Sequence, residues 1–331
     1  MNLIGPLKNR ITHIILLFLV LSPAAAQGPR FYLGFDQILD NREYFTEYGY
    51  PQTIFGARIN PGVYFTFDSV HRIHAGINYM YEFGGALFGV TPQIDLYYSY
   101  QSDRFDLRVG SFPRSERLEL PLLLLRDSLS YYRPNMEGAS IRFNWAWGSI
   151  HGWVDWTGRE TEETRESILG GLDATFTYRL FYLKAITTRY HLARTTAGDD
   201  DNLIRDDGSL LALAGVDLSE RVGLDKLDLY SGLATSYELI HSSGYTWSFG
   251  WLTRLDMRRG IFGLKGSMYL GGPSMLHYGD KLYSHGDYGR FDFYIDPFRN
   301  PRISSKIGWN VHWLPGDGLY HSQQLLISIR L

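Results

Sequence analysis

Three places in the sequence set a serine beside a histidine: His241-Ser242, Ser284-His285 and His321-Ser322. A serine hydroxyl becomes an acyl-transfer nucleophile when a histidine nitrogen within hydrogen-bond reach takes its proton. Adjacent residues on a strand project to opposite faces, so sequence neighbours there do not form such a pair. All three pairs fall in or beside turn-rich segments and read as solvated loop residues. The run Asp199-Asp200-Asp201-Asn202 with Asp206-Asp207 is rich in oxygen ligands. It lacks the ligand spacing of a calcium loop and reads as an acidic surface. Glycine pairs at 84–85, 170–171 and 271–272 suit turns and bulges, and no phosphate-cradling loop is present. The chain has no cysteine. The expectation from these residues is no catalytic, cofactor or metal site, and a protein that is not an enzyme.

The elements that would hold any site come from a different signal. Lys8 and Arg10 precede an apolar run from Ile11 to Leu21, followed by Pro23 and Ala24-Ala25-Ala26 before Gln27. A basic start, a short apolar centre and small residues are the order of a secretory signal. The run is too short for a membrane helix, which takes about 20 residues. Residues 1–26 are therefore expected to be a signal peptide and 27–331 a single exported domain. Without cysteines, no disulfide staples that domain. The chain holds 32 basic and 35 acidic residues, a balance that argues against nucleic-acid binding. Its 24 tyrosines, 19 phenylalanines, 8 tryptophans and 35 glycines suit strands, tight turns and membrane interfaces.

Period-two alternation recurs along the chain. Phe105, Leu107 and Val109 alternate with Asp106, Arg108 and Gly110; Ala139, Ile141, Phe143 and Trp145 alternate with Ser140, Arg142, Asn144 and Ala146. The same pattern fills 247–258 and 303–313. Side chains two apart share a face, so each segment is a strand with one apolar and one polar side. The spacing predicts strands over 31–39, 52–67, 72–82, 91–101, 104–112, 137–146, 150–157, 168–178, 180–190, 210–219, 225–240, 246–257, 260–270, 290–296, 302–313 and 320–331.

The connections choose between a soluble sandwich and a membrane barrel. Gaps after even-numbered strands are short, as at Ser102-Asp103 and Trp147-Gly148-Ser149. Several after odd-numbered strands are long, including 113–136, 191–209 and 271–289. Short turns at one end and long loops at the other mark outer-membrane barrels. The fold class is accordingly all-β: a transmembrane antiparallel β-barrel of about 16 strands in a Gram-negative outer membrane. The chain stops on Leu325, Ile327, Ile329 and Leu331 alternating with Gln324, Leu326, Ser328 and Arg330. This ending is similar to the C-terminal signal read by the outer-membrane insertion machinery, with a final Leu in place of the usual aromatic.

In topology, and in the stretch Phe105-Asp106-Leu107-Arg108-Val109-Gly110-Ser111-Phe112-Pro113-Arg114, the chain resembles the sixteen-stranded porin family. That stretch is similar to the strand-to-loop passage where a Gly-x-aromatic step precedes an inward-folding third loop. The resemblance implies passive diffusion of small hydrophilic solutes. The third long loop here carries Leu122-Leu123-Leu124-Leu125, which would be an aggregation hazard if exposed. Folding into the lumen would bury them and leave Arg114, Glu116, Arg117, Arg126 and Asp127, with Asp106, Arg108 and Arg142 on the wall, to line a constriction. Inward charges of both signs, such as Arg72, Lys184, Arg254, Asp95, Asp155 and Asp228, argue against a dedicated ion filter.

Two alternatives stand beside the pore. One is a blocked barrel serving a surface or secretion complex, with partner contacts through Tyr44, Tyr48 and Tyr50 and the loop at 277–288; tyrosines near strand ends otherwise read as an interfacial girdle. The other, less expected, is an outer-membrane lipid hydrolase, whose Ser and His would face lipid. Expected partners are outer-membrane lipids, the insertion machinery and further copies of the chain.

Overall fold

The computed structural model describes residues 27–162, 164–193, 204–240 and 244–331. The signal segment 1–26, the acidic run 199–202 and the pair His241-Ser242 lie outside them.

Sixteen strands run up and down in sequence order. They are β1 (Gln27–Glu43), β2 (Gln52–Thr66), β3 (His71–Glu82), β4 (Gln93–Gln101), β5 (Phe105–Pro113) and β6 (Asn135–Trp145). Next come β7 (Gly148–Gly158), β8 (Ser167–Tyr178), β9 (Phe181–Leu192), β10 (Arg205–Asp217) and β11 (Lys226–Ile240). The last are β12 (Gly244–Arg259), β13 (Phe262–Gly271), β14 (Tyr288–Ile295), β15 (Ile303–Leu314) and β16 (Gly318–Arg330). Each pairs antiparallel with its sequence neighbours, and β16 closes on β1 with Phe35 opposite Ile329 and Asn41 opposite Gln323. Closure removes the unpaired edges that a membrane would not tolerate.

Alternation sorts the two faces. Leu172, Trp251, Phe249, Phe293 and Ile307 are exposed on the outer wall, while Asp155, Asp173, Asp256 and Asn310 point inward. Rings such as Phe105, Phe143, Trp145, Trp147 and Phe176 adjoin one another at one end of the outer wall. The long connections gather at the opposite end, which is therefore the extracellular one. Two departures stand out. The turn 218–225 at the other end holds a short helix, Ser219–Val222, and the connection 315–317 is short although it follows an odd-numbered strand.

The first strand runs four residues further at each end than the alternation predicts. Its added tail includes Asp40 and Arg42, whose inward charges break the apolar pattern but are paired within the lumen. Many tyrosines lie inside rather than in a girdle. Tyr182 covers Gly215 and Tyr294 covers Gly263 on neighbouring strands, so closely that a Cβ at either glycine would sit 2.1 or 2.0 Å from the ring. Cross-strand packing of this kind accounts for part of the joint abundance of Tyr and Gly. Gly110 adopts φ +123°, a conformation that favours glycine, where β5 approaches the loop that follows.

Candidate functional site

The lumen is crossed by two loops. Residues 114–134, after β5, and 272–287, after β13, meet inside the barrel: Asp280 N–H donates to the Leu122 carbonyl at 2.9 Å, and Arg126 N–H to the Tyr278 carbonyl at 2.8 Å. Leu123 and Leu124 pack with inward Ile186, Leu211, Leu213 and Leu252 and with Tyr283 and Tyr288. The interior thus holds a packed apolar cluster on the β9–β14 side, which the alternation alone did not disclose. Tyr44 joins it, its hydroxyl 3.1 Å from His312 Nε2, and Tyr48 packs on His285 with ring centroids 5.1 Å apart. Tyr50 stays exposed.

Each charged residue expected to line the constriction has a partner here. Arg114 meets Asp155 at 2.7 Å, and Arg108 meets Glu116. Arg117 pairs with Asp106, and its main-chain carbonyl accepts from Arg142 at 3.1 Å. Asp127 bridges Arg42 at 2.9 Å and Arg290 at 3.4 Å. Burial acts to raise the Asp127 carboxyl, but the two guanidiniums outweigh it and hold it below the usual carboxylate range. Arg126 donates to the His277 carbonyl at 3.0 Å and lies over the Tyr278 ring. Below the loops are two cavities. One of about 350 Å³ is lined by Thr175, Lys184, Asp228 and Arg254, and one of about 230 Å³ by Arg72, His74, Tyr97 and Asp106.

A second constellation stands on the outer wall, where the sequence reading placed only apolar residues. The closure register sets Glu43 opposite His321 and Asn41 opposite Gln323. The β1–β2 register sets Asn41 opposite Thr53. Odd residues of β1 face outward, so these five side chains form two adjacent rows on the outer face. His321 Nε2 lies 3.2 Å from Glu43, and Asn41 Nδ2 lies 3.1 Å from the same carboxylate. Asn41 also donates to Gln323 Oε1 at 2.6 Å and accepts from Thr53 Oγ1 at 2.7 Å. His321 and Glu43 remain 44 and 41 % exposed.

One strand position further from the loops, the face turns apolar. Leu39, Phe293, Ile307, Trp309 and Leu325 line an open groove of about 700 Å³ that reaches Gln323. Polar groups turned toward hydrocarbon are expensive and mark function by default. The His321–Glu43 pair thus lies on the outer wall two residues beyond Gln323, the polar residue of the groove lining.

The Ser–His neighbours behave as strand geometry demands. His321 faces out to Glu43, whereas Ser322 faces in to Asn310. Ser284 donates to the Lys281 carbonyl, and His285 lies against the Asp287 carbonyl. What the sequence reading missed was pairing across strands: Glu43 with His321, nearly the full chain apart. It also missed a lumen cluster of Ser140, His151 and Asp173 on β6, β7 and β8. The available signal was polar residues at apolar-phase positions, Asn41, Glu43 and Thr53 among them.

A sequence model of a lipid A deacylase family (Lipid A 3'-O-deacylase-type) matches residues 25–300. This overturns the expectation that the chain is not an enzyme; that expectation tested only sequence-adjacent pairs, while barrel sites assemble across strands. Asn41, Glu43 and Thr53 lie within the matched span, and His321 and Gln323 lie beyond it. No curated protein matches the chain. Among solved structures, it is similar to a loop-deletion form of the Vibrio cholerae outer-membrane protein OmpT, with TM-score 0.58 and 9 % identity over 93 % of this chain and 100 % of that one. It is also similar to Salmonella typhi OmpF in complex with daunomycin, with TM-score 0.55 and 8 % identity over 92 and 97 %. Pseudomonas putida OprB aligns with TM-score 0.50 and 8 % identity over 97 and 96 %. These likenesses bear on fold: a sixteen-stranded outer-membrane barrel.

Proposed function

Because the chain belongs to the lipid A 3'-O-deacylase-type family of the Gram-negative outer membrane, we propose that it hydrolyses acyl esters of an outer-leaflet lipid of the lipid A class. The observation that carries this reading is the outward His321–Glu43 pair, joined through Asn41 to Gln323, which lines the apolar groove. A lipid substrate reaches that site by lateral diffusion, with no need to enter the lumen.

The chemistry follows from this arrangement. Glu43 stands 3.2 Å from His321 Nε2 and holds that side of the ring, so Nδ1 is the nitrogen turned to chemistry. Nδ1 takes a proton from water as the water oxygen attacks the ester carbonyl. Gln323 Oε1 is occupied by Asn41, so its amide N–H groups are free to face outward and stabilise the oxyanion. Collapse expels the sugar alkoxide, which recovers the proton from His321, while the acyl chain lies in the groove. Purified protein mixed with lipid A in detergent should release fatty acid, and His321→Ala should lower the rate by about 100-fold or more.

A second reading, passive diffusion of small hydrophilic solutes, draws on the charged cavities of about 350 and 230 Å³ beneath the loops. It requires a path past residues 114–134, and conductance across a planar bilayer tests it. Residues 1–26 are read as a leader removed before Gln27, where β1 begins. Edman sequencing of the mature protein checks that cleavage.

A further inference from the structure

We propose that Ser140, His151 and Asp173 form a latent serine acyl-transfer centre inside the barrel, closed by Arg117 and suited to small carboxylic esters. It shares no residue with the lipid site on the outer wall and does not rest on that reading.

Strand register builds the relay. His151 on β7 lies directly opposite Asp173 on β8, and Ser140 on β6 lies one inward position away from Arg142, the residue opposite His151. Inward side chains on a diagonal are within reach of one another. Ser140 Oγ lies 2.8 Å from His151 Nε2, and His151 Nδ1 lies 2.9 Å from Asp173. Asp173 is the nearer partner of Nδ1, since Arg142 stands at 3.4 Å. Nδ1 therefore carries the proton, and Nε2 accepts from the serine. Nucleophile, base and orienting carboxylate stand in the order that acyl transfer needs.

Arg117 supplies both a lid and a charge. Its Nε donates to Ser140 Oγ at 2.9 Å, and its guanidinium pairs with Asp106. Asp106 lines the cavity of about 230 Å³, so Arg117 partitions that cavity from Ser140. Ser140 and His151 are accordingly sealed in this state. Arg117 belongs to the loop 114–134, not to the wall, so a shift of the loop opens the partition without breaking a strand.

The reaction balances without a further reagent. Ser140 Oγ bonds to the ester carbon as its proton passes to His151 Nε2. The ester C–O bond then breaks, and the departing alkoxide takes that proton, leaving an acyl-serine. Water adds to the acyl carbon through the same base, releasing the carboxylic acid and restoring Ser140.

The test uses the full-length barrel refolded in detergent, with a fluorophosphonate as probe. Ser140 should be labelled slowly in the native chain and about 10-fold or more faster in Arg117→Ala. Arg117→Gln, which keeps a donor beside Ser140 but not the ion pair, covers the case in which Arg117→Ala does not fold. In the opened background, His151→Ala and Asp173→Asn should each lower labelling by about 100-fold or more. Tryptic mass spectrometry should place the adduct on Ser140, and Ser140→Ala should abolish it. Absence of labelling in both folded Arg117 variants, or labelling indifferent to His151 and Asp173, would overturn the proposal and leave the three residues as a structural network.

Discussion

Glu43 and His321 lie directly opposite each other on β1 and β16, on the outer face, with the imidazole Nε2 3.2 Å from the carboxylate. Barrel closure makes this pair. A one-residue slip of that register would turn one partner into the lumen, so the site depends on the β1–β16 seam.

The outer face is lipid-facing along its whole middle. Leu172 lies outward near the centre of β8. Leu172→Arg should cost about 2–4 kcal/mol at mid-membrane and impair insertion. Thr175→Arg, on the inward face beside the cavity of about 350 Å³, should be tolerated. Heat-modifiable gel mobility after refolding into vesicles reads both; equal tolerance would mean the faces are reversed.

The strand count, the two faces and most strand bounds were legible because alternation is local and repeated. The site was not, because its information is in register. The strand expected over 31–39 stops short of Asn41 and Glu43, and only their opposition to His321 and Gln323 turns them into a cluster. The charged residues of the loop 114–134 could be named from sequence, but their partners Arg42, Asp155 and Arg290 sit on strands far apart in the chain. Composition pointed to tyrosine girdles, whereas Tyr182, Tyr269, Tyr288 and Tyr294 lie inside over glycines or against the loops.

Packing of Tyr294 on Gly263 gives a second prediction. Gly263→Ala places a methyl 2.0 Å from the ring and should destabilise the barrel by about 1–3 kcal/mol. Adding Tyr294→Ala should recover part of the loss, as a urea titration of refolded protein would show.

Asp127 makes the loop's hold pH-dependent. Its folded pKa is depressed, so the stabilisation it supplies is present above the unfolded value, about 3.9, and is lost as pH falls through the folded value. Arg42 and Arg290 stay charged throughout. Protease cleavage within 114–134 should therefore be constant from about pH 5 to 8 and rise only below about 4. Asp127→Asn should show the faster cleavage at every pH.

Shortening the loop between Ser115 and Ser130 removes the contacts of Glu116, Arg117, Arg126 and Asp127 across the lumen. Single-channel conductance should rise, while the barrel stays folded through its strand pairing. Unchanged conductance would place the barrier elsewhere, in residues 272–287.

The central claim is ester hydrolysis at the outer wall, and the mass of lipid A tests it most directly. Outer membranes of cells producing the native chain should contain lipid A lighter by one acyl chain, by mass spectrometry. Cells producing His321→Ala or Glu43→Gln at equal levels in the outer membrane should retain the heavier form. Lipid A of unchanged mass in the presence of the native chain, or the same loss with both variants, would contradict the account.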